Sequence, residues 1–135
     1  MTEFKYTGVP MPHQIAGLRW ALDKREAAFF WDMGVGKTYT LIHLSAARCS
    51  LNFIDTVIVL CPTAIKLVWE KEIPQWMPYD DYTVHTYKNK KSLEDHFKYT
   101  HSKKKLNWYI FGIEALQLGN AYESALWLLD QDIKA

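Results

Sequence analysis

The chain has 135 residues, 49% of them hydrophobic and 15% aromatic, which is enough to bury one core and excludes intrinsic disorder, a state that requires low hydrophobicity and high net charge. Its net charge of +1 excludes a globally basic nucleic-acid binder, so any polyanion site must be a local patch. No apolar run reaches the ~18 residues that span a bilayer and the opening MTEFKYTG lacks the apolar stretch of a secretory leader, so a membrane partner is not expected. Cys49 and Cys61 lie in apolar contexts that suit buried, reduced thiols and an intracellular, cytoplasmic protein. With no repeat, low-complexity tract or Gly/Ser linker, a single domain over residues 1–135 is expected.

In chain order, Ile15, Leu18, Ala21 and Leu22 give the segment from Met11 to Lys24 the spacing of an amphipathic helix. Ala27 to Trp31 reads as a short apolar strand, and from Lys37 an unbroken pattern through Leu41, Ile42, Leu44 and Ala46 predicts a helix to Cys49. Thr56 to Cys61 (TVIVLC) is rich in β-branched residues, as expected of a central parallel strand covered on both faces. Pro62 ends it, Thr63 is placed to cap a helix carrying Leu67, Val68, Trp69 and Ile73, and Pro74 and Pro78 are expected to interrupt that helix. Tyr82 to Tyr87 alternates like a half-buried strand, Lys90 to Thr100 is a polar helix, Asn107 to Phe111 is another strand, and a last helix runs from about Ala121 to Gln131. Strands alternating with helices in this way indicate an α/β layer fold with a mostly parallel sheet flanked by helices.

The stretch FFWDMGVGKTYT, residues 29 to 40, carries the chemistry. A strand, a glycine turn and a helix form the context of a phosphate-binding loop, in which backbone N–H groups turn around the phosphate and Lys adds a full charge. Gly34, Gly36 and Lys37 fit these roles, and the hydroxyl of Thr38 suits a Mg²⁺ ion bridging the phosphates. Without a bound anion, Lys37 in the first turn of a helix would be electrostatically misplaced. The general pattern GxxxxGK[ST] asks for glycine at position 31, where this chain has Trp31.

The loop resembles that of superfamily 2 helicase-type ATPases, and among them the Swi/Snf-like double-stranded DNA translocases, which commonly read Asp-Glu-Met-Gly-Leu-Gly-Lys-Thr. Here Trp31-Asp32-Met33-Gly34-Val35-Gly36-Lys37-Thr38 differs only at Trp31, Asp32 and Val35. The resemblance implies a RecA-like P-loop NTPase lobe that takes ATP and Mg²⁺, with Met33 to Thr38 at the nucleotide and Lys37 and Thr38 taking part in catalysis. Met11 to Trp20 is similar to the family's opening motif, which casts Gln14 as the residue reading adenine; an amide both donates and accepts along one base edge. Val59 to Ala64 with Trp69 to Ile73 is similar to the motif that runs along the nucleic-acid backbone, so Thr63 and neighbouring N–H groups are expected at a DNA phosphate, with Trp69 in the core. Trp108 to Leu116 looks like the strand and turn that the family carries ahead of its catalytic acids.

Those acids, an Asp-Glu-x-His box, are not matched, since no Asp-Glu pair occurs in the chain. Its nearest imitation, Ala125 to Asp132, keeps the helical spacing of Tyr122, Ala125, Leu126 and Leu129 and is expected to be helix. The lobe is therefore read as an incomplete, N-terminal piece that turns over little ATP by itself, with the remaining lobe supplied by further chain or a partner. Two basic clusters, Lys88, Lys90 and Lys91, then Lys103, Lys104 and Lys105, suit salt-dependent contact with double-stranded DNA or plain solvation. The five histidines show no zinc spacing with the cysteines. The reading is thus the ATP-binding part of a DNA-dependent ATPase; its alternatives are an RNA helicase lobe of the same superfamily and a non-enzymatic DNA- or protein-binding module that keeps the fold.

Overall fold

Three runs carrying β-branched and aromatic side chains, β1 (Thr56–Cys61), β2 (Tyr82–Thr86) and β3 (Leu106–Gly112), pair as an all-parallel sheet in the order β1-β3-β2. This is a computed structural model of the chain, and it describes residues 5–22, 24, 36–101 and 103–135. The register places Thr56 opposite Asn107 and Cys61 opposite Gly112, and on the other side of β3 Tyr82 opposite Leu106 and Thr86 opposite Ile110. Parallel neighbours require crossovers, here α3 (Lys66–Trp76) between β1 and β2 and α4 (Lys90–Tyr99) between β2 and β3. Helices α1 (Pro12–Ala21) and α2 (Lys37–Ser50) precede the sheet, and α5 (Ile113–Leu118) and α6 (Asn120–Leu129) follow it. The architecture is the expected α/β layer fold with a parallel sheet between helices.

The side-chain alternation of β3 divides the core in two. Leu106, Trp108 and Ile110 meet Val59 and Cys61 of β1, Ile42, Ala46 and Cys49 of α2 and Ile73 of α3. On the opposite face Tyr109 and Phe111 meet Leu93 of α4 and Ala121 and Leu128 of α6. Every residue of β3 is buried. The polar Asn107 is accommodated because its Nδ2 donates to the Asp55 and Lys104 carbonyls at 3.1 and 3.4 Å and its Oδ1 accepts from Thr83 Oγ1 at 3.0 Å. Leu18 and Ala21 clamp α1 onto Leu44 of α2.

Several expectations are corrected. Among the described residues β3 pairs with both β1 and β2, and Leu60 of β1 is 56% exposed, where a strand covered on both faces was expected. Helix α3 continues through Pro74 to Trp76, because the missing N–H falls in the last turn and costs a single bond. Thr63 does not cap α3 but opens a 3₁₀ turn, Thr63–Ile65, ahead of it. The segment from Ile113, expected as strand and turn, is helix α5. The Ala125 to Leu129 run is helical, as its spacing predicted. The predicted strand Ala27 to Trp31 lies outside the described residues. Both cysteines are free and buried, and burial pushes both thiols up.

Leu93 is the fully buried anchor of α4 on the sheet. Leu93→Ala is expected to destabilise the chain by about 2–5 kcal/mol in urea unfolding, through lost transfer energy and an unfilled cavity. A cost near zero would mean that α4 is held by something else.

Candidate nucleotide and nucleic-acid interface

In a parallel sheet all strands end on one side, and open α/β sheets take their ligands at that carboxyl edge. Here β1 ends into Thr63, β2 into Tyr87 and Lys88, and β3 into Gly112 and Glu114. The C-terminus of α2 leads to the start of β1, so its first turn, with Lys37 and Thr38, stands at this same edge. So does the first turn of α4, with Lys90 and Lys91, because α4 leads back to the start of β3.

The turn into α2 is built on Gly36, whose φ of 77° lies in the left-handed region. Its carbonyl accepts from Thr40 N at 3.1 Å, Thr40 Oγ1 at 3.2 Å and Gln14 Nε2 at 3.3 Å, and a Cβ at this position would collide with the Gln14 amide. The N-terminus of α2 has neither a side-chain cap nor an acidic residue in its first turn, which leaves its positive end uncompensated within the helix. Lys37 and Thr38 are partly exposed there. Met33, Gly34 and Val35 lie outside the described residues. Gln14, 5% exposed, also accepts from Met11 N at 2.8 Å through Oε1, so both ends of its amide tie α1 to the turn. The structure thus brings Gln14 to Gly36 while engaging the groups that adenine reading would use.

Thr63 is met by a residue that the sequence reading passed over. The Glu114 carboxylate accepts from Thr63 N at 2.8 Å and from Thr63 Oγ1 at 2.5 Å, and these two bonds hold its carboxyl below the usual carboxylate range. Gly112 makes the approach possible, since a Cβ there would run into the Thr63 side chain and come within 3.3 Å of its Cα. Lys66 was also passed over; its Nζ donates to the Tyr87 carbonyl at 3.3 Å. Thr63, Lys66, Glu70, His85, Lys88 and Ser92 line a cleft of about 810 Å³ between α3, β2 and the start of α4. The signal for Lys66 was its place three residues after Thr63, just where a helix opens.

The two lysine clusters are not brought together. Lys88, Lys90 and Lys91 are exposed at the carboxyl edge, with Lys90 3.9 Å from Glu94. Lys103, Lys104 and Lys105 are exposed at the opposite end of the sheet, where Lys105 N donates to Asp81 Oδ1 at 2.9 Å. The length of a strand, ~20 Å, lies between them.

A parallel sheet flanked by helices, with α2 opening from Gly36 at its carboxyl edge, defines a RecA-like α/β layer protein. The model of the SNF2-related domain matches residues 13–127, and the chain belongs to that family. It is 35% identical over 72 residues to the zebrafish (Danio rerio) chromodomain-helicase-DNA-binding protein 1-like, a match that covers 50% of this chain and 7% of that protein. It also superposes on the Sulfolobus solfataricus SWI2/SNF2 ATPase core, solved in complex with double-stranded DNA, with a TM-score of 0.58 and 23% identity over 82% of this chain and 23% of that one. At that identity the likeness shows the RecA-like fold alone. The chain thus spans only a small part of the length of either protein.

Gly112→Ala is expected to push Thr63 off Glu114 and to cost about 1–3 kcal/mol of stability, as overpacking does. Urea unfolding, with the Thr63 amide resonance as the local probe, checks it; unchanged stability and an unmoved Thr63 resonance would show that the two loops are not in contact.

Proposed function

We propose that this chain is the ATP-binding part of a DNA-dependent translocase, taking nucleotide at the first turn of α2 and duplex DNA along the carboxyl edge of the sheet. One observation carries the reading: α2 opens from a left-handed glycine directly into Lys37 and Thr38 with no cap and no acid, leaving backbone N–H groups and a Lys charge for phosphates. Met33 to Gly36 would wrap the phosphates, Lys37 would neutralise them, and Thr38 would hold Mg²⁺. The ion supplies charge neutralisation between the phosphates when bound. Gln14 sits against the same turn, where release of its bonds to Met11 and Gly36 would free its amide for adenine. The family and the duplex-bound neighbour support association with DNA, and the cations at the carboxyl edge suit a phosphate track running from Thr63 over Lys66 and Lys88 to Lys90 and Lys91. Lys103, Lys104 and Lys105, at the far end of the sheet, belong to a separate contact. The location that fits is an intracellular, nucleic-acid-associated one.

A second reading, a binding module that holds nucleotide or DNA without hydrolysis, is favoured by the absence of any Asp-Glu pair from this sequence, because hydrolysis needs carboxylates for Mg²⁺ and for water. Without such a pair, this chain alone is expected to bind without turnover.

Calorimetric titration of ATP and ADP with Mg²⁺ is expected to show binding that Lys37→Ala weakens by about 10- to 100-fold, the worth of one charge-assisted hydrogen bond. A folded wild type that binds neither nucleotide removes the nucleotide reading. For DNA, Lys88→Ala is expected to lower duplex affinity in fluorescence anisotropy and to reduce the salt slope by about one, with Lys103→Ala as the distal comparison. Equal effects of the two substitutions would contradict a track confined to the carboxyl edge, and preference for RNA over duplex DNA would favour an RNA helicase lobe.

A further inference from the structure

The face of the sheet under α4 buries imidazole where the opposite face buries hydrocarbon. His85 of β2, 8% exposed, stacks against His96 of α4 with ring centroids 4.8 Å apart. His96 meets the ring of Tyr109 on β3 at 5.6 Å, and Thr83 Oγ1 lies 3.4 Å from its Nε2. His101, just past α4, is 8% exposed; its Nδ1 lies 2.7 Å from the Tyr109 hydroxyl and its ring stacks on Phe97 at 4.4 Å. His85 Nε2 is buried without a hydrogen-bond partner among the described residues. A buried polar atom left unpaired calls for a reason.

We propose that the His85–His96–His101 cluster is a proton-operated latch for α4, whose charging releases α4 and the lysines at its two ends from the sheet while the α2–α3 face stays folded. A second positive charge 4.8 Å from the first, between a helix and a buried strand, has, among the described residues, no carboxylate paired with either ring to offset it. The groups that bear on the cluster are few. From β3 there is the Tyr109 phenol, from the approach to α4 the Lys88 cation, from α3 Lys66 and Glu70 on the cleft that His85 also lines, and from the approach to β1 the Asp55 carboxylate, which among the three histidines acts on His101. From α6, Trp127 packs on Phe97, and Ser124 is bonded to Tyr87 at 3.0 Å.

The direction follows from linkage. Burial lowers all three imidazoles from their ordinary value, His85 furthest, to about 4, with His96 and Lys88 adding repulsion. The folded state therefore binds fewer protons than the unfolded one below about pH 6.5, so the stabilisation is whole above that pH and is lost as pH falls toward 4. α4 is the element exposed to this loss because it carries His96 against His85 and Leu93 is its single fully buried side chain.

The test is amide hydrogen exchange on the whole chain by NMR from pH 7 to 4.5, with ring resonances of the histidines followed in the same samples. The protection factors of α4 are expected to fall by about 10- to 100-fold between pH 6.5 and 4.5, while those of β1 and α3, which carry no histidine, change by less than about threefold. His43, also lowered by burial, makes α2 unsuitable as the reference. His85→Phe should flatten the α4 response, and His96→Gln serves if that variant does not fold at neutral pH. Constant α4 protection, loss of α4 together with β1 and α3, or His85 titrating near 6.5 with α4 still protected would overturn the proposal.

Discussion

The parallel pairing of β3 with both of its neighbours is the constraint on which the described structure depends. Its backbone bonds β1 on one side and β2 on the other, and all seven of its residues are buried. Pairing in parallel forces the chain to cross the sheet between strands, which places α3 on one face and α4 on the other. Asn107 fixes the start of the register, since its side chain joins the Asp55 and Lys104 carbonyls to Thr83 of β2. An apolar residue there would leave those groups without the same bridge.

From that pairing follows the location of the candidate site. Because the strands run the same way, the loops after β1, β2 and β3 and the first turns of α2 and α4 meet at one edge, although their residues are spread from position 36 to position 114. The junction at this edge is tight: Gly112 admits Thr63, and Glu114 takes both the N–H and the hydroxyl of Thr63. An anion already sits where a phosphate would accept. Any ligand that used the Thr63 N–H and hydroxyl would have to displace that carboxylate, because Glu114 joins the loops after β1 and β3 there.

The faces of the sheet differ in chemistry as well as in position. The α2–α3 face is hydrocarbon and sulfur around Trp108, whereas the α4–α6 face sets imidazoles and phenols among Leu93, Phe111 and Leu128. Hydrocarbon packing is indifferent to pH, and buried imidazole is not. Placing the lysine clusters before and after α4 ties the basic surface of the molecule to its more polar face.

By itself, the sequence determined the alternation of strands and helices, the helix that opens at Lys37, the helical character of Ala125 to Leu129 and the resemblance to the family, because these depend on local periodicity and short-range spacing. It did not show that β3 pairs with both β1 and β2, since strand order is set by pairing between distant segments. It left open where its two lysine clusters lie, which are a strand length apart, and it passed over Glu114 and Lys66, whose partners are distant in sequence and which meet them at the common edge of the strands. Residue type and spacing thus set which groups were available, while tertiary structure decided which of them meet, because each meeting closes a long loop that only the packed sheet stabilises.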